Sequence, residues 1–284
     1  MTRTPDRNRT SRHPQHLGRR GGRRSPLTTE VPTIGRWTIR LCTQHRLSRP
    51  EAAKRLHISE SNLKRIELND ATPSEETLDR MVTEFNLDPD QERHTRELAE
   101  PAVDLTPIAE LREQLTTPTH LAQLAQFEQN GVACAYIDPL WQLVAANDTF
   151  LRVFPGVDEF DRTMPLWHFQ PGAAEPTSKR ISVFWEYEAA FLIMTLRAAF
   201  GRFRTSPQVA ELMRRLQASP VFTRMWIDSL RVAYGRGPDD FVHLRDPATG
   251  EPHSWNIQFG EIPDSQQVRL CVGYRQPYAG PPLP

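Results

Sequence analysis

The sequence predicts two domains of different class. The first is an N-terminal all-α, five-helix domain; the second is a C-terminal α+β domain, an antiparallel sheet with packed helices. Three observations predict this. Apolar residues between Ile34 and Glu100 recur at helical spacing and are cut into short lengths by Ser, Thr and Asp capping residues. After Gly131 the pattern turns to short β-branched and aromatic runs bounded by Pro, Gly, Asn and Asp. Three helical stretches then separate two early strands from a closing group of three, the order of an α+β sheet.

A chain of 284 residues has room for two such domains. With 38% hydrophobic residues and a mean hydropathy of −0.56, it reads as a soluble protein with a core and long polar stretches. The formal net charge of +0 hides an asymmetry. Residues 1–26 carry eight arginines (Arg3, Arg7, Arg9, Arg12, Arg19, Arg20, Arg23 and Arg24) against Asp6, a net +7, so the remainder carries −7. Residues 1–30 hold little to bury and are expected to be a disordered basic arm. Such an arm either adds non-specific contact to nucleic acid or is a solvated extension. Of the 35 basic residues only Lys54, Lys64 and Lys179 are lysines, an Arg-heavy, Pro-rich usage associated with GC-rich bacterial genomes. Cys42, Cys134 and Cys271 are odd in number and far apart, with no CxxC pair or His/Cys cluster. A reducing, cytoplasmic compartment is therefore expected, with no metal and no cofactor. No apolar run approaches the roughly 18 residues of a membrane span, and no apolar segment follows the basic N-terminus as in a secretory signal.

Domain boundaries follow from composition: a helical domain over 33–100, a linker over 101–117, the α+β domain over 118–278 and a disordered tail over 279–284. In the first domain, Ile34, Trp37 and Leu41 give a helix ending near His45. Ser48 and Glu51 form a capping box with Pro50 in the first turn, and Ala52, Ala53 and Leu56 are the buried stripe of the next helix. His57-Ile58 breaks the run. Ser59 caps a third helix that buries Leu63 and Ile66 and turns Glu60, Ser61, Asn62, Lys64 and Arg65 outward. Asn69 stands where the chain must turn, Thr72-Pro73-Ser74-Glu75 reads as a capping box for a fourth helix, and Asp88-Pro89-Asp90-Gln91 repeats the device for a fifth.

The pair of short capped helices over Leu47–Asn69 is a helix-turn-helix. Its second helix offers side chains suited to base edges and phosphates, which points to double-stranded DNA as partner. Residues 34–99 resemble the Cro/C1 (XRE) family of helix-turn-helix DNA-binding domains. The resemblance rests on Leu47, Ser48, Glu51, Ala53, Leu56, Ser59, Leu63, Ile66 and Glu67. His57 stands where the family has a turn glycine, so it must accept a positive φ or relax the turn. Ala52 and Asn69 are the other departures. The resemblance implies a recognition helix starting at Ser59. It places Glu60, Ser61 and Asn62 near base edges, Arg65 one turn on for a bidentate contact to guanine, and Arg49 on a phosphate. Lys64 is either a phosphate contact or solvated.

The second domain begins with an amphipathic segment, His120–Gln129. Strands are expected at Val132–Ile137 and Trp141–Ala146, and Asn147 caps a short helix. Helices follow at Glu186–Phe200, Pro207–Ala218 and Pro220–Val232, then strands at Phe241–Leu244, His253–Glu261 and Val268–Tyr274. The stretches Val132–Phe154, Leu196-Arg197 with Gly201, Leu216–Trp226 and Arg245–Gly250 resemble the PAS-like ligand-binding domain of MmyB-like regulators. That likeness implies a one-component regulator whose second domain can hold a small apolar, fatty-acid-like molecule. Among its large side chains, Trp141, Phe150, Trp167, Phe191, Met194, Trp226 and Trp255 either line a pocket or fill a core. Asn147 and Arg197 are the polar groups placed near such a pocket, or else structural hydrogen-bonding residues.

No nucleophile, paired-carboxylate or zinc-protease pattern is present, so an enzyme is not expected. The sequence reads as a bacterial transcription regulator, a homodimer on a palindromic operator since one short helix reads few base pairs. The alternative is a DNA-binding regulator whose second domain only mediates assembly.

Overall fold

The computed structural model describes residues 29–170 and 175–283. The expected disordered arm lies outside the described residues apart from Thr29 and Glu30. In the first domain five helices form: α1 (Ile34–Gln44), α2 (Arg49–Arg55), α3 (Glu60–Glu67), α4 (Glu75–Glu84) and α5 (Pro89–Ala99). They close on a core of Trp37, Leu41, Ala52, Ala53, Leu56, Leu63, Leu78, Met81, Phe85 and Leu98. None of these helices is long enough to persist alone, so burial of the shared apolar stripe holds them.

Their ends are set by side chains. Ser48 and Glu51 form the capping box expected for α2, Asp88 and Gln91 that for α5, and Ser59 Oγ accepts from Asn62 N at 3.1 Å. One cap differs from the sequence reading. Ser74, not Thr72, is the N-cap of α4 and accepts from Thr77 N at 3.3 Å, leaving Pro73 before the helix. At the C-ends a left-handed residue stops α1, α2, α3 and α4 in turn: Arg46, His57, Asn69 and Asn86, at φ 55°, 54°, 61° and 50°. The next amide returns to the helix, with Ile58 N on Ala53 O and Asp70 N on Arg65 O. His57 thus accepts the positive φ where a glycine would be free of strain. Asn69 has a second task, since its Oδ1 accepts from Gly35 N at 2.9 Å and ties the start of α1 to the end of α3. Gly35 is required there because a Cβ would stand 2.5 Å from Glu67 O.

The second domain has a five-stranded antiparallel sheet in the order β2-β1-β5-β4-β3. The strands are β1 (Ala133–Ile137), β2 (Leu143–Ala146), β3 (Val242–Arg245), β4 (Pro252–Ile262) and β5 (Ser265–Pro277). Alternation sends Ala133, Ala135, Ile137, Trp255 and Cys271 to one face, and Cys134, Tyr136, Val268 and Val272 to the other. The first face is covered by α8 (Asp148–Val153), α9 (Met164–Phe169), α10 (Thr177–Ile181) and α11 (Trp185–Arg202). Behind them, α12 (Pro207–Leu216) and α13 (Pro220–Asp228) build a helical layer on α11. The other face is covered by α6 (Ile108–Leu115) and α7 (Pro118–Gln129).

Several expectations change in detail. The linker is part of this core: Leu111 and Leu115 of α6 pack on the sheet, and Leu105 joins the helical layer. Helix α13 ends at Asp228 rather than near Val232, because Ser229 turns to extended backbone at φ −122° and ψ 144°. Helices α9 and α10 were not foreseen. The tail expected to be disordered from residue 279 is tied at its start, where Ala279 N donates to Ser254 Oγ at 2.9 Å.

The two domains dock through α1 and α5 on α11 and the segment after α13. Ala198, Leu230 and Val232 enter the core of the first domain. Around them Gln91 Nε2 donates to Leu230 O at 3.2 Å, and Arg204 donates to the carbonyls that end α5.

Candidate functional site

The helix-turn-helix presents one solvent-facing surface. On α3, Leu63 and Ile66 are buried while Glu60, Ser61, Lys64 and Arg65 are exposed and Asn62 is half-buried; Ser59 at the cap is exposed as well. The five outward positions expected from periodicity therefore share a face. That face lies apart from the docking surface, so contact with the second domain leaves it open. Among the described residues, Arg65 makes only a long contact to Asp70 O at 3.4 Å, which leaves most of its guanidinium available.

Arg49 is placed differently. Its Nε and Nη2 both lie 2.7 Å from Glu67 Oε2, and Glu67 is almost fully buried. The pair pins the start of α2 to the end of α3 and fixes the angle at which α3 is presented. A phosphate contact by Arg49 falls to the part of its side chain that remains accessible, 33%. The glutamate at the end of the motif was legible in the sequence, but its partner was not, because the two stand 18 residues apart.

In the second domain two chambers lie end to end between the sheet and the helices. The smaller, about 90 Å³, is walled by Phe150, Phe154, Met164, Trp167, Val242, Leu244, Ile257 and Cys271. The larger, about 250 Å³, reaches the domain boundary and is walled by Thr195, Ala198, Phe203, Tyr234, Gln267 and others, including Arg93 of α5. Ile137, Trp141, Phe191 and Phe259 belong to both walls. Trp141 is held with φ at 61°, its indole donating to Thr195 Oγ1 at 3.1 Å and meeting Phe259 edge-on at 5.5 Å. A tryptophan kept in left-handed backbone costs about 1–3 kcal/mol, and such strain concentrates at functional positions.

Four of the nine residues expected at a pocket are thus brought together: Trp141, Phe150, Trp167 and Phe191. The other five are not. Asn147 is structural: its Oδ1 accepts from Phe150 N and Cys134 N, and its Nδ2 donates to Val132 O. Arg197 and Trp226 belong to the domain junction, the guanidinium 4.7 Å over the indole ring. Trp255 fills the sheet core against Gly273, where a Cβ would lie 3.1 Å from its ring. Met194 is half-buried and stands outside both walls.

Polar groups in the chamber walls escaped the sequence reading. The buried Glu188 and Arg236 pair with each other, and Arg236 lies 3.9 Å over the Phe191 ring. Burial pushes the Glu188 carboxyl up despite its arginine. His168 is stacked on Trp185 at 5.0 Å, and burial pulls it down to about 3, so it is neutral. Its Nε2 is buried with no hydrogen-bond partner among the described residues.

Comparison with known families agrees with this geometry. Residues 116–275 match the MmyB-like transcription regulator ligand binding domain, which is more than half of the chain. The chain belongs to the MmyB-like transcription regulators. Residues 39–91 of the regulator match a helix-turn-helix family, so its first domain binds DNA. No curated protein matches the regulator. Among the described residues no helix is long and apolar enough to cross a membrane, and no cluster of His, Cys, Asp or Glu is suited to a metal.

Proposed function

We propose that this regulator acts in the cytoplasm as a homodimer on a palindromic operator, and that a small apolar ligand in the second domain alters its affinity for DNA. The observation that carries the DNA half is the open outer face of α3, which remains exposed while the opposite side of its domain is docked. In this reading Ser59, Glu60, Ser61 and Asn62 approach base edges, Arg65 reads a guanine, and Lys64 and Arg49 meet phosphates. A single α3 reads too few base pairs to find one site in a genome, which is the argument for two-fold symmetry. The ligand half rests on the paired chambers. A ligand shifts DNA binding only if it favours one arrangement of the two domains over another.

Genome-wide mapping of bound sites tests the first half: the reading expects a recurrent inverted repeat with half-sites one or two helical turns apart. Sites without symmetry would overturn the dimer. Native mass spectrometry of the purified regulator tests the second half. A co-purifying small mass supports a sensor, whereas a ligand-free dimer favours a domain used only for assembly.

A further inference from the structure

One stretch of the sheet is paired on a single side. Strand β3 runs beside β4 only from Pro252 to Trp255, while β5 follows β4 to Ile262. Alternation decides which backbone groups of residues 256–262 point to the open side. Asn147 N donates to Cys134 O at 3.0 Å, so Cys134 turns its groups to β2, and Ala133, Ala135 and Ile137 turn theirs to β5. Carried across both registers, Asn256, Gln258 and Gly260 face β5, and Ile257, Phe259 and Glu261 face outward. The opposite edge agrees. His243 O accepts from Val183 N at 2.9 Å, so His243 faces away from β4, while Val242 and Leu244 bond to Trp255 and His253. The chain before β3 turns at Pro238 and Asp239, where Asp240 N donates to Gly237 O at 3.1 Å. Among the described residues, no backbone partner meets the N–H and C=O of Ile257, Phe259 or Glu261 across that side.

Such an edge is a template for another strand, and proteins that keep one free guard it with lysine, proline or a bulge. Residues 256–261 hold no lysine or proline, and the irregularity in register comes only after Glu261. Gly260 is a second sign. A Cβ there would meet nothing within 4 Å, so its own chain does not call for glycine. One use of glycine within a strand is to admit a close neighbour. We propose that β4 pairs with β4 of a second copy, antiparallel about a two-fold axis at Phe259, so that the two sheets join edge to edge. Ile257 then bonds with the partner's Glu261, and Phe259 with the partner's Phe259, about six backbone hydrogen bonds in all. Gln258 of each copy lies over the partner's Gly260, where no side chain obstructs it. The two Glu261 carboxylates stand about 13 Å apart along the strands, whereas parallel pairing in register would set them side by side. The occupant is a second copy because the edge is its own complement under that axis. This inference rests on the proposed homodimer and names its interface.

Sedimentation of the full-length regulator over a range of concentrations, with residue-resolved hydrogen exchange, tests the pairing. Wild type is expected to dimerise, and the amides of Ile257, Phe259 and Glu261 to slow as the dimer forms. Those of Gln258 and Gly260, bonded to β5, are slow throughout. Glu261→Pro removes an outward N–H at an exposed position, so β4 keeps its bonds to β5. It is expected to weaken dimerisation about tenfold or more. Gly260→Lys has room in its own chain but sets like charges about 7 Å apart across the pairing, with the same effect. Should the proline variant fail to fold, the lysine variant carries the test. A dimer in which the three amides stay fast, or which neither variant weakens, overturns the β4 interface and leaves the homodimer standing. Slow amides in a monomer mean that another segment covers the edge, and overturn the second copy as occupant. A regulator that is monomeric both free and on DNA overturns the homodimer and this inference with it.

Discussion

Arg40 of the DNA-binding domain and Arg197 of the ligand-binding domain donate to one acceptor, the carbonyl oxygen of Trp226, at 2.7 and 2.8 Å. Trp226 lies in the last turn of α13, where carbonyls have no partner within the helix. Arg40 takes two more acceptors, Ile227 O at 3.1 Å and Ser229 O at 2.7 Å, and Arg197 also reaches Arg231 O. Neither arginine has an ion pair among the described residues, so the negative end of α13 is their counter-charge. Burial pulls Arg40 down to about 10 and Arg197 well below its ordinary value. One cation from each domain thus caps the same helix, and α13 is the piece both domains hold.

Arg40→Met keeps the length of the side chain and removes these bonds. The change is expected to destabilise the docked chain by about 2–3 kcal/mol, the scale of hydrogen bonds from a charged donor. Because the acceptors belong to the other domain, calorimetry should resolve two unfolding transitions for the variant and a single one for wild type. A single transition at the wild-type temperature would remove Arg40 from the junction.

Gly201 makes a sharper test of the same surface. A Cβ there would lie 2.5 Å from His94 Cε1 and 3.1 Å from Leu98 in α5. The His94 ring cannot yield, because it is fully buried and meets Trp37 edge-on at 4.9 Å. Gly201→Ala would favour an isolated helix, yet here it is expected to cost about 1–3 kcal/mol through overpacking. Equilibrium unfolding in urea measures it; a variant more stable than wild type would show that α11 and α5 do not meet this closely.

Asp138 gives stability a pH dependence of unusual sign. Burial raises its carboxyl from 3.8 to about 7, outweighing the two amides it accepts. The folded state then binds the proton more tightly than the unfolded chain between these values. Its contribution is fully present below about pH 4 and is lost as pH rises through 7. Asp138→Asn keeps an acceptor for both amides and removes the titration. Relative to that variant, wild type is expected to lose about 3 kcal/mol between pH 4 and pH 7. The comparison cancels the buried His94 and His168, both pulled down to about 3, whose contributions run the other way. A difference that stays flat across this range would place Asp138 in contact with water.

The DNA-binding half was largely readable in advance because its signals are local. Ser48 with Glu51, and Asp88 with Gln91, announce helix starts within three residues, and α3 shows its outer face by period alone. The ligand half was readable as elements but not as a site. Trp141 and Trp226 look alike in sequence, yet one divides two chambers while the other is stacked on Phe222 at 5.5 Å. What separates them is which helix crosses which strand, a long-range fact that no local pattern carries. The same reason hid Arg93, which α5 of the DNA-binding domain contributes to the wall of a chamber in the second domain.

Arg65 is the residue on which sequence-specific recognition should turn. It is exposed, its only hydrogen bond among the described residues is the long one to Asp70 O, and it stands one turn beyond Ser61 on the open face of α3. Arg65→Ala should therefore leave folding stability within about 0.5 kcal/mol of wild type. Affinity for the operator is expected to fall by about 1–3 kcal/mol, with discrimination relaxed at one base pair of each half-site. Arg65→Lys separates charge from geometry: a lysine keeps the charge but not the planar fork that matches guanine O6 and N7. It should restore the salt dependence of binding without restoring the discrimination. Gel-shift titrations against operators varied one base pair at a time measure both quantities. Full discrimination by the alanine variant would move base reading to Asn62 and Ser61, nearer the start of the helix.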